Sequence, residues 1–218
     1  MKKIKILILG LPGSGKTFLA SRFAKKVNAK WLNADKIRGK HNDWDFSYDG
    51  IIRQVRRMKK LADQSKNKIV IADFVCPLKE QIDIFKPNLI VWMDTIKKGR
   101  FKSMNKMFVP PRKYHLKINQ KNIKINLIRL YDKLIKYKWA DENPTGAMIG
   151  EYQPWHLNHR KTFEKLLVEI GQVIIFVKSK NLFTFLKVKK NIDNDLYGDF
   201  KMRYKILKTP NITRIKSK

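Results

Sequence analysis

The hydrophobic residues of this chain fall into two kinds of pattern. Short continuous runs rich in isoleucine, leucine and valine are typical of strands buried in a parallel sheet. Such runs occupy residues 4–9, 68–74, 89–94 and 172–178. Apolar residues at helical spacing occupy residues 17–27, 51–64, 125–138 and 159–171. Because these strands and helices alternate, the pattern predicts an α/β fold whose sheet is mostly parallel.

One segment interrupts this alternation and predicts a domain boundary. Residues 140–146 (ADENPTG) are acidic, contain proline and glycine, and show no periodicity, which is typical of a linker. The pattern then restarts with a short strand in AMIGEY. We therefore expect one domain over residues 1–140 and a second, smaller α/β segment over residues 147–218. Residues 100–124 are basic and irregular.

Composition narrows the classes of protein to consider. Hydrophobic residues make up 43% of the chain, enough for a packed core. The single cysteine, Cys76, excludes an internal disulfide and favours a cytoplasmic location. No apolar run reaches the roughly 18 residues of a membrane span, so no membrane partner is expected. The net charge of +31 is spread along the chain as lysine, which predicts anionic substrates and only weak, non-specific nucleic-acid binding.

The clearest motif is a phosphate-binding loop at residues 10–17. GLPGSGKT fits G-x-x-x-x-G-K-[ST] between a predicted strand and a predicted helix, which is the context that the motif requires. Glycines let the backbone N–H groups wrap around phosphate, the lysine reaches the β- and γ-phosphates, and the threonine hydroxyl binds Mg²⁺. The motif predicts ATP and Mg²⁺ as cofactors. The predicted nucleotide-binding residues are Gly10, Pro12, Gly13, Ser14, Gly15, Lys16 and Thr17.

Charged residues after the following strands are candidates for catalysis and metal binding. Asp35 could orient an acceptor hydroxyl or hold Mg²⁺, and Arg38 could clamp an anionic acceptor. An ordinary helix start, with Asp35 as the cap and Arg38 exposed, fits their spacing equally well. Asp73 and Asp94 each end a hydrophobic run, and Asp73 is the better metal candidate because its strand is longer and more β-branched.

These motifs together resemble a known family. GLPGSGKT, NADKIR, DFSYDG, IVIADFVCP and VWMDT resemble adenylylsulfate kinase in their order and spacing, over roughly residues 4–110. That family has a P-loop NTPase fold and transfers the γ-phosphoryl group of ATP, with Mg²⁺, to the 3′-hydroxyl of adenylylsulfate. The resemblance implies catalytic roles for Lys16, Asp35 and Arg38 and allows for a homodimer. It further implies a substrate site formed by Arg38, Phe46, Ser47, Arg56 and Phe74. It also implies that Asp35 joins the metal site, to which the motif assigns Thr17 and the strand pattern assigns Asp73.

Three positions depart from this family. Gly50 and Ile51 stand where the family has an Asp-Arg pair whose arginine helps to bind adenylylsulfate, and Cys76 replaces a serine. Two alternatives to an adenylylsulfate kinase therefore stay open. One is a P-loop kinase for another nucleoside, sugar or polyol, and the other is a basic nucleic-acid-binding protein whose ATP site is regulatory or a relic.

The second segment resembles a different family. IGEYQPWHLNHRKTFEKLL is similar to the opening of a cytidylyltransferase-like nucleotidyltransferase domain, whose pattern is G-R-[FY]-x-P-x-H-x-G-H. The resemblance implies that His156 and His159 meet the triphosphate of a nucleotide. Glu151 and Asn158 replace the basic residue and the glycine of that pattern. Residues 147–218 are therefore interpreted as an incomplete Rossmann-like nucleotidyltransferase segment, and a structural turn without chemistry is the alternative.

Overall fold

The computed structural model describes residues 3–209, and these form two compact units that divide between Leu134 and Ile135. Each unit is described by itself below. Among residues 3–209, no helix combines the length and the apolar character needed to cross a membrane.

The first unit is a five-stranded parallel sheet with helices on both faces. Its strands are β1 (Ile4–Leu9), β2 (Lys30–Asn33), β3 (Ile69–Asp73), β4 (Leu89–Met93) and β5 (Leu116–Ile118). Its helices are α1 (Lys16–Lys26), α2 (Ala34–Lys40), α3 (Tyr48–Gln64), α4 (Lys79–Phe85), α5 (Lys102–Met107) and α6 (Ile123–Ile135). The strand order is β2-β3-β1-β4-β5, with every neighbouring pair parallel. The predicted P-loop NTPase fold is confirmed.

The core of this unit lies on both sides of the sheet because successive strand residues point to opposite faces. Leu7 and Leu9 of β1 pack with buried residues of α2, α3 and α4. Ile6 and Ile8 pack with α1 and α6 on the other face. β1 is therefore covered on both sides, and its carboxyl end opens directly into the phosphate loop.

The second unit is a three-stranded parallel sheet. It contains β6 (Gly146–Gly150), α7 (Leu157–Ile170), β7 (Val173–Val177), α8 (Leu182–Phe200) and β8 (Tyr204–Lys208), with strand order β6-β7-β8. The Phe163 ring of α7 lies 5.5 Å from the Phe200 ring of α8, so both helices pack on the same face of the sheet. On this face Val173, Ile175 and Val177 are fully buried.

Several elements differ from the sequence prediction, and α4, which is seven residues long, is one that was not predicted. Residues 100–124 are not irregular throughout, since they contain α5 and β5, which are too short to produce a periodic pattern. α8 and β8 were not predicted, although Val188, Ile192, Leu196 and Phe200 form an apolar stripe at a spacing of four. Residues 136–145, which include the predicted linker, contain no helix or strand, and the division between the units lies a few residues earlier.

Candidate functional site

The phosphate loop follows β1, the central strand, and its first glycine is required by close packing. A Cβ atom on Gly10 would lie 2.5 Å from the carbonyl oxygen of Met93, so no other residue fits there without a backbone shift. The loop ends at the N-terminus of α1, where unpaired backbone N–H groups and the helix dipole favour an anion. The predicted strand–loop–helix context of the motif is present.

Lys16 is buried at the base of this loop. Its Nζ donates to the carbonyl oxygen of Leu11 at 2.8 Å, and the side chain is largely hidden from solvent. Burial lowers the pKa of Lys16 to about 8, although the nearby carboxylates of Asp73 and Asp35 oppose this shift. The amine is therefore held between a phosphate-binding backbone and two carboxylates, and it lacks the hydration that would stabilise its charge.

Asp73 is the centre of a hydrogen-bond network at the carboxyl end of β3. Its Oδ2 accepts from the Thr17 hydroxyl at 2.7 Å and from Asn33 Nδ2 at 3.0 Å, and its Oδ1 accepts from Trp31 Nε1 at 2.6 Å. Burial raises the pKa of Asp73, and these three donors partly offset the shift. Thr17 and Asp73 thus place hard oxygen atoms side by side, as Mg²⁺ prefers.

Asp35 stands at the start of α2 but does not cap the helix. Asn33 is the cap, because its side chain accepts from the backbone N–H of Lys36 at 2.9 Å. The Asp35 side chain is exposed. This carboxylate is therefore available for an acceptor or a metal ion, and the alternative in which Asp35 caps the helix is wrong.

One cavity joins most of these residues. Its volume is about 680 Å³, and it is lined by Lys16, Thr17, Asp35 and Asp73 together with Phe46 and Phe74. Strands β1, β2 and β3 bring the charged groups to one sheet edge, while the loop before α3 brings the first phenylalanine. The structure thus places the predicted phosphate and metal residues and two of the predicted acceptor residues, Phe46 and Phe74, around one space.

Arg38 does not line this cavity, and its guanidinium is occupied by the protein. Its Nη1 donates to the carbonyl oxygens of Asp43 at 3.0 Å and Asp45 at 2.8 Å, and the side chain is 5% exposed. The Phe46 ring lies 4.7 Å from the guanidinium carbon. Arg38 is therefore not exposed, as an ordinary helix start would have it. Its guanidinium is also not free to bind an anionic acceptor. It fixes the loop that carries Phe46.

Two further substrate candidates, Ser47 and Arg56, have a structural role or lie outside the cavity, and Ile51, which stands where the family has its arginine, is also structural. Ser47 caps α3, since its hydroxyl accepts from the backbone N–H of Gly50 at 3.2 Å. Arg56 is exposed on α3 and does not line the cavity. Ile51 is 3% exposed, so it is a core residue of the same helix.

The absence of the family's aspartate at position 50 has a local explanation. A Cβ atom on Gly50 would lie 2.4 Å from the Asp45 carboxyl carbon and 2.4 Å from its backbone oxygen. The Asp45 carboxylate fills this space and accepts from Arg53 at 3.0 Å and from the backbone N–H of Ser47 at 2.8 Å. Gly50 and Asp45 therefore belong together as a packed pair.

Sequence reasoning missed one wall of the cavity. Arg100, Phe101, Ser103 and Met104, in and before α5, line it opposite the sheet. Asn105 fixes this segment, because its side chain donates to the Gly99 carbonyl oxygen at 3.0 Å and accepts from the Gly99 N–H at 2.7 Å. The basic composition of residues 100–124 was the available signal, but a single short helical turn gives no periodicity.

A second cavity of about 260 Å³ lies on the other side of the phosphate loop. Gly13, Ser14 and Gly15 line it together with Thr95 and Asn126. Thr95 fixes the loop on this side, since its hydroxyl donates to the Ser14 carbonyl oxygen at 2.7 Å. Asp94, the alternative metal candidate, lines neither cavity and pairs with Lys97 and Lys117, each at 3.0 Å.

The predicted histidine pair of the second unit lies at the start of α7, with His156 as the N-cap residue and His159 in the first turn. The His156 and His159 rings stack with centroids 3.8 Å apart. The pKa of His159 is lowered, mainly because the ring is partly buried and also because the charge of His156 lies beside it. His159 lines a groove that also contains Glu151, Lys165 and Glu169. Two glutamates disfavour a polyphosphate there, and the nucleotidyltransferase assignment stays a prediction.

The fold and the phosphate loop define the class of the first unit, which has the fold of a P-loop kinase. The sequence model for adenylylsulphate kinase matches residues 2–90, fewer than half of the chain. This match includes Lys16, Asp35 and Asp73 but ends before the wall formed by α5.

Known structures and a curated protein show related similarities. The Mycobacterium tuberculosis APS kinase CysC in complex with AMPPNP and APS superposes with a TM-score of 0.55 at 18% identity, over 62% of this chain and 98% of that one. A cysteine-to-alanine mutant of the same enzyme gives a TM-score of 0.51 at 20% identity, over the same shares. The adenylate kinase isoenzyme 6 homolog of Drosophila melanogaster is 40% identical over 50 residues, which are 22% of this chain. This chain spans only 29% of the length of that relative.

Proposed function

We propose that this protein is an ATP-dependent kinase that phosphorylates the hydroxyl group of a small anionic acceptor, with adenylylsulfate as the first candidate. The observation that carries the proposal is the cavity of about 680 Å³ in which Lys16, Thr17, Asp35 and Asp73 meet two phenylalanines. Phosphoryl transfer needs positioning and charge neutralisation more than covalent chemistry. The cavity offers both.

The phosphate end of the cavity suits a nucleoside triphosphate. The backbone N–H groups of the loop and the Lys16 amine would hold the β- and γ-phosphates. A bound triphosphate returns the Lys16 amine to a strongly anionic environment and so raises its pKa, which favours the protonated form at neutral pH. The smaller cavity on the far side of the loop would take the nucleoside, so that donor and acceptor approach from opposite sides.

The donor set also fits Mg²⁺, with Thr17 and Asp73 as ligands and Asp35 in reach of the same space. A bound Mg²⁺ ion neutralises the charge that develops on the transferring phosphoryl group. Before a cation binds, the Thr17 hydroxyl donates to Asp73 Oδ2 at 2.7 Å, and this hydrogen bond holds both oxygen atoms in position. Asp73 is desolvated, so it gains from a cation that replaces its lost hydration.

Asp35 is the group proposed to orient the acceptor. It is the exposed carboxylate of the cavity, whereas Asp73 is buried and already holds three donors. An acceptor hydroxyl that donates to Asp35 would point its oxygen toward the γ-phosphate held by Lys16. Asp35 thus acts as a positioning base of the kind found in phosphotransferases.

The acceptor end of the cavity favours a molecule with an aromatic ring. Phe46, Phe74 and Phe101 line it, and Phe46 is held by its contact with the Arg38 guanidinium. Aromatic side chains recognise a flat ring by stacking, whereas a polyol needs hydrogen-bond partners at each hydroxyl. An adenine-bearing acceptor therefore fits better than a sugar or a polyol. Arg100 is the basic residue available for its anionic group.

A different acceptor is the second candidate, and two observations favour it. Arg38 is engaged with backbone carbonyl groups, and Ile51 is part of the core. Neither position therefore offers the anion contacts that the resemblance to adenylylsulfate kinase implies. Another nucleoside-type acceptor keeps the phenylalanine walls and dispenses with those contacts.

The test is ATP consumption by the purified chain with Mg²⁺, with and without adenylylsulfate, and with the products identified by mass. We expect a 3′-phosphorylated product that disappears in Lys16→Ala. Lys25→Ala is the matched control, because Lys25 lies on the same helix, is exposed, and removes the same charge.

The outcomes separate the candidates. Lys16-dependent ATP turnover with another nucleoside, but not with adenylylsulfate, would keep the kinase and replace the acceptor. Full turnover in Lys16→Ala with unaltered ATP affinity would refute the kinase proposal.

A further inference from the structure

The sheet of the second unit is covered on one face only. α7 and α8 pack together on one side, as the contact between Phe163 and Phe200 shows. On the opposite side Ile149, Phe176 and Leu207 are in register across the three strands. Ile149 is 62% exposed and Leu207 is 43% exposed. Parallel sheets are normally buried on both faces, and the first unit follows that rule. This sheet is therefore open to a further element.

β6 forms one edge of this sheet, and its backbone is open on the outer side. Gly146 N–H donates to the Gln172 carbonyl oxygen at 2.9 Å, and the Gly150 carbonyl oxygen accepts from Lys178 N–H at 2.8 Å. Because alternate residues of a strand bond to the same neighbour, Gly146, Met148 and Gly150 face β7. The N–H and C=O groups of Ala147 and Ile149 then face away, and no residue of the described chain, 3–209, pairs with them.

The edge of β6 also lacks the charges that normally block strand pairing. Among the strands that the structure describes, every other sheet edge carries lysine: β2 has Lys30, β5 has Lys117, and β8 has Lys205 and Lys208. β6 has the sequence GAMIG and carries no charge, in a chain whose net charge is +31. Lysine on an edge strand discourages pairing with another chain. Of the four edge strands in the two described sheets, β6 is the one that contains no lysine.

A groove lies beside the edge of β6. Its volume is about 500 Å³, and it is lined by residues 147–150 of β6 and by one side of α7. The α7 side carries Lys165 and Glu169, so an antiparallel copy of this surface can bring opposite charges together. A partner strand that pairs with β6 beside this groove would also cover part of the exposed Ile149 on the other face.

We infer that β6 is the dimerisation strand of this protein, and that it pairs antiparallel with β6 of a second copy about a two-fold axis at Met148. In that register Ala147 lies opposite Ile149 of the partner copy. The backbone N–H and C=O groups of Ala147 and Ile149 face outward from the sheet edge. Ala147 of one copy and Ile149 of the other can therefore form two hydrogen bonds, each donating one and accepting one. The pattern is self-complementary, as a two-fold interface requires. Pairing of two copies makes one continuous six-stranded sheet. An unrelated strand would not share the self-complementary register, so a second copy is the better partner.

The experiment is sedimentation of the nuclease-treated full chain over a range of protein and salt concentrations. We expect a reversible dimer that strengthens with salt, because salt screens the repulsion between two chains of charge +31. Ile149→Lys should weaken dimerisation about tenfold or more, since it places a charge in the paired strand. Leu207→Lys is the matched control, because it puts the same charge on the same sheet face at the β8 edge, and it should leave dimerisation unchanged.

A second measurement does not depend on the variants folding well. Amide hydrogen exchange should become slower at Ala147 and Ile149 as the protein concentration rises, while exposed amides elsewhere stay unchanged. A monomer at every concentration would overturn the inference. So would an association that weakens with salt, which indicates bridging by nucleic acid, or an equal loss in Leu207→Lys, which indicates packing through the sheet face.

Discussion

Replacement of Lys16 by methionine should remove activity and, at neutral pH, stabilise the unliganded protein. Lys16 is buried with its amine against a single carbonyl oxygen, that of Leu11. Burial lowers its pKa from the ordinary value of 10.5 to about 8. Below pH 8 the folded protein therefore holds a positive charge that is poorly solvated. Methionine has a similar length and no charge.

The size of the effect follows from the two pKa values. One pKa unit corresponds to about 1.4 kcal/mol, so the protonated amine costs the folded state about 3 kcal/mol at pH 7. Methionine removes this cost but also loses the hydrogen bond to Leu11, which is a loss of about 1 to 2 kcal/mol. Lys16→Met should therefore be more stable than the wild type by about 1 to 2 kcal/mol at pH 7, within the usual range for single substitutions.

The pH dependence gives the sign of the effect. Between pH 8 and 10.5 the folded protein has lost the Lys16 proton while the unfolded chain still keeps it, so unfolding takes up a proton. The wild type is therefore stabilised as the pH rises through this window, and the variant is not. The two stability curves should cross between pH 8 and 10.5.

The assay is native-state amide exchange of β1 residues, which reports on the first unit even if the two units unfold separately. Addition of ATP with Mg²⁺ should increase protection in the wild type and leave Lys16→Met unchanged. Lys25→Met on the exposed face of α1 is the control. Destabilisation of Lys16→Met at pH 7 by more than about 1 kcal/mol, with parallel pH curves, would refute the reasoning about burial.

Three other substitutions test the remaining parts of the site. Asp73→Asn should lower Mg²⁺-dependent turnover about a hundredfold or more while the circular dichroism spectrum is kept, because the amide has the same shape but is neutral and keeps only one of the two acceptor oxygens; turnover at the wild-type rate would remove Asp73 from the proposed metal site. Arg38→Lys should raise KM for the acceptor more than it lowers kcat in steady-state kinetics, because it loosens the loop that carries Phe46 and does not contact the phosphates. A fall in kcat alone would instead indicate that Arg38 acts directly on the reaction. Gly50→Ala should lower the free energy of unfolding by about 1 to 3 kcal/mol in urea titrations because its Cβ meets Asp45, and the addition of Asp45→Gly should restore only part of this loss, since it removes the carboxylate but keeps the backbone oxygen.

Much of the first unit could be predicted because its strands are long apolar runs and its loop is a specific motif. The predicted strand at residues 4–9 matches β1, and the predicted helix at 51–64 lies within α3. Lys16 and Thr17 could be chosen from the phosphate-loop motif, and Asp73 because it lies at the end of a predicted strand, since the carboxyl ends of parallel strands share one sheet edge.

The role of Arg38 could not be predicted, because it depends on backbone carbonyl groups. Its partners, at residues 43 and 45, belong to a loop whose path is not encoded by any periodic pattern. The wall formed by Arg100 and Phe101 was missed for a related reason, since α5 is only six residues long. α8 is a different case, because its apolar stripe is visible in the sequence.

The hydrogen bond between Trp31 and Asp73 would make the proposed metal site optically visible. The Trp31 indole donates to Oδ1 of the carboxylate at 2.6 Å, while Thr17 and Asn33 donate to Oδ2. A cation that binds this carboxylate must compete with these donors and change the electric field at the indole. Trp31 is thus a natural fluorophore placed one hydrogen bond from the proposed chemistry. Its emission would report the arrival of Mg²⁺ and nucleotide in real time, in the unlabelled protein.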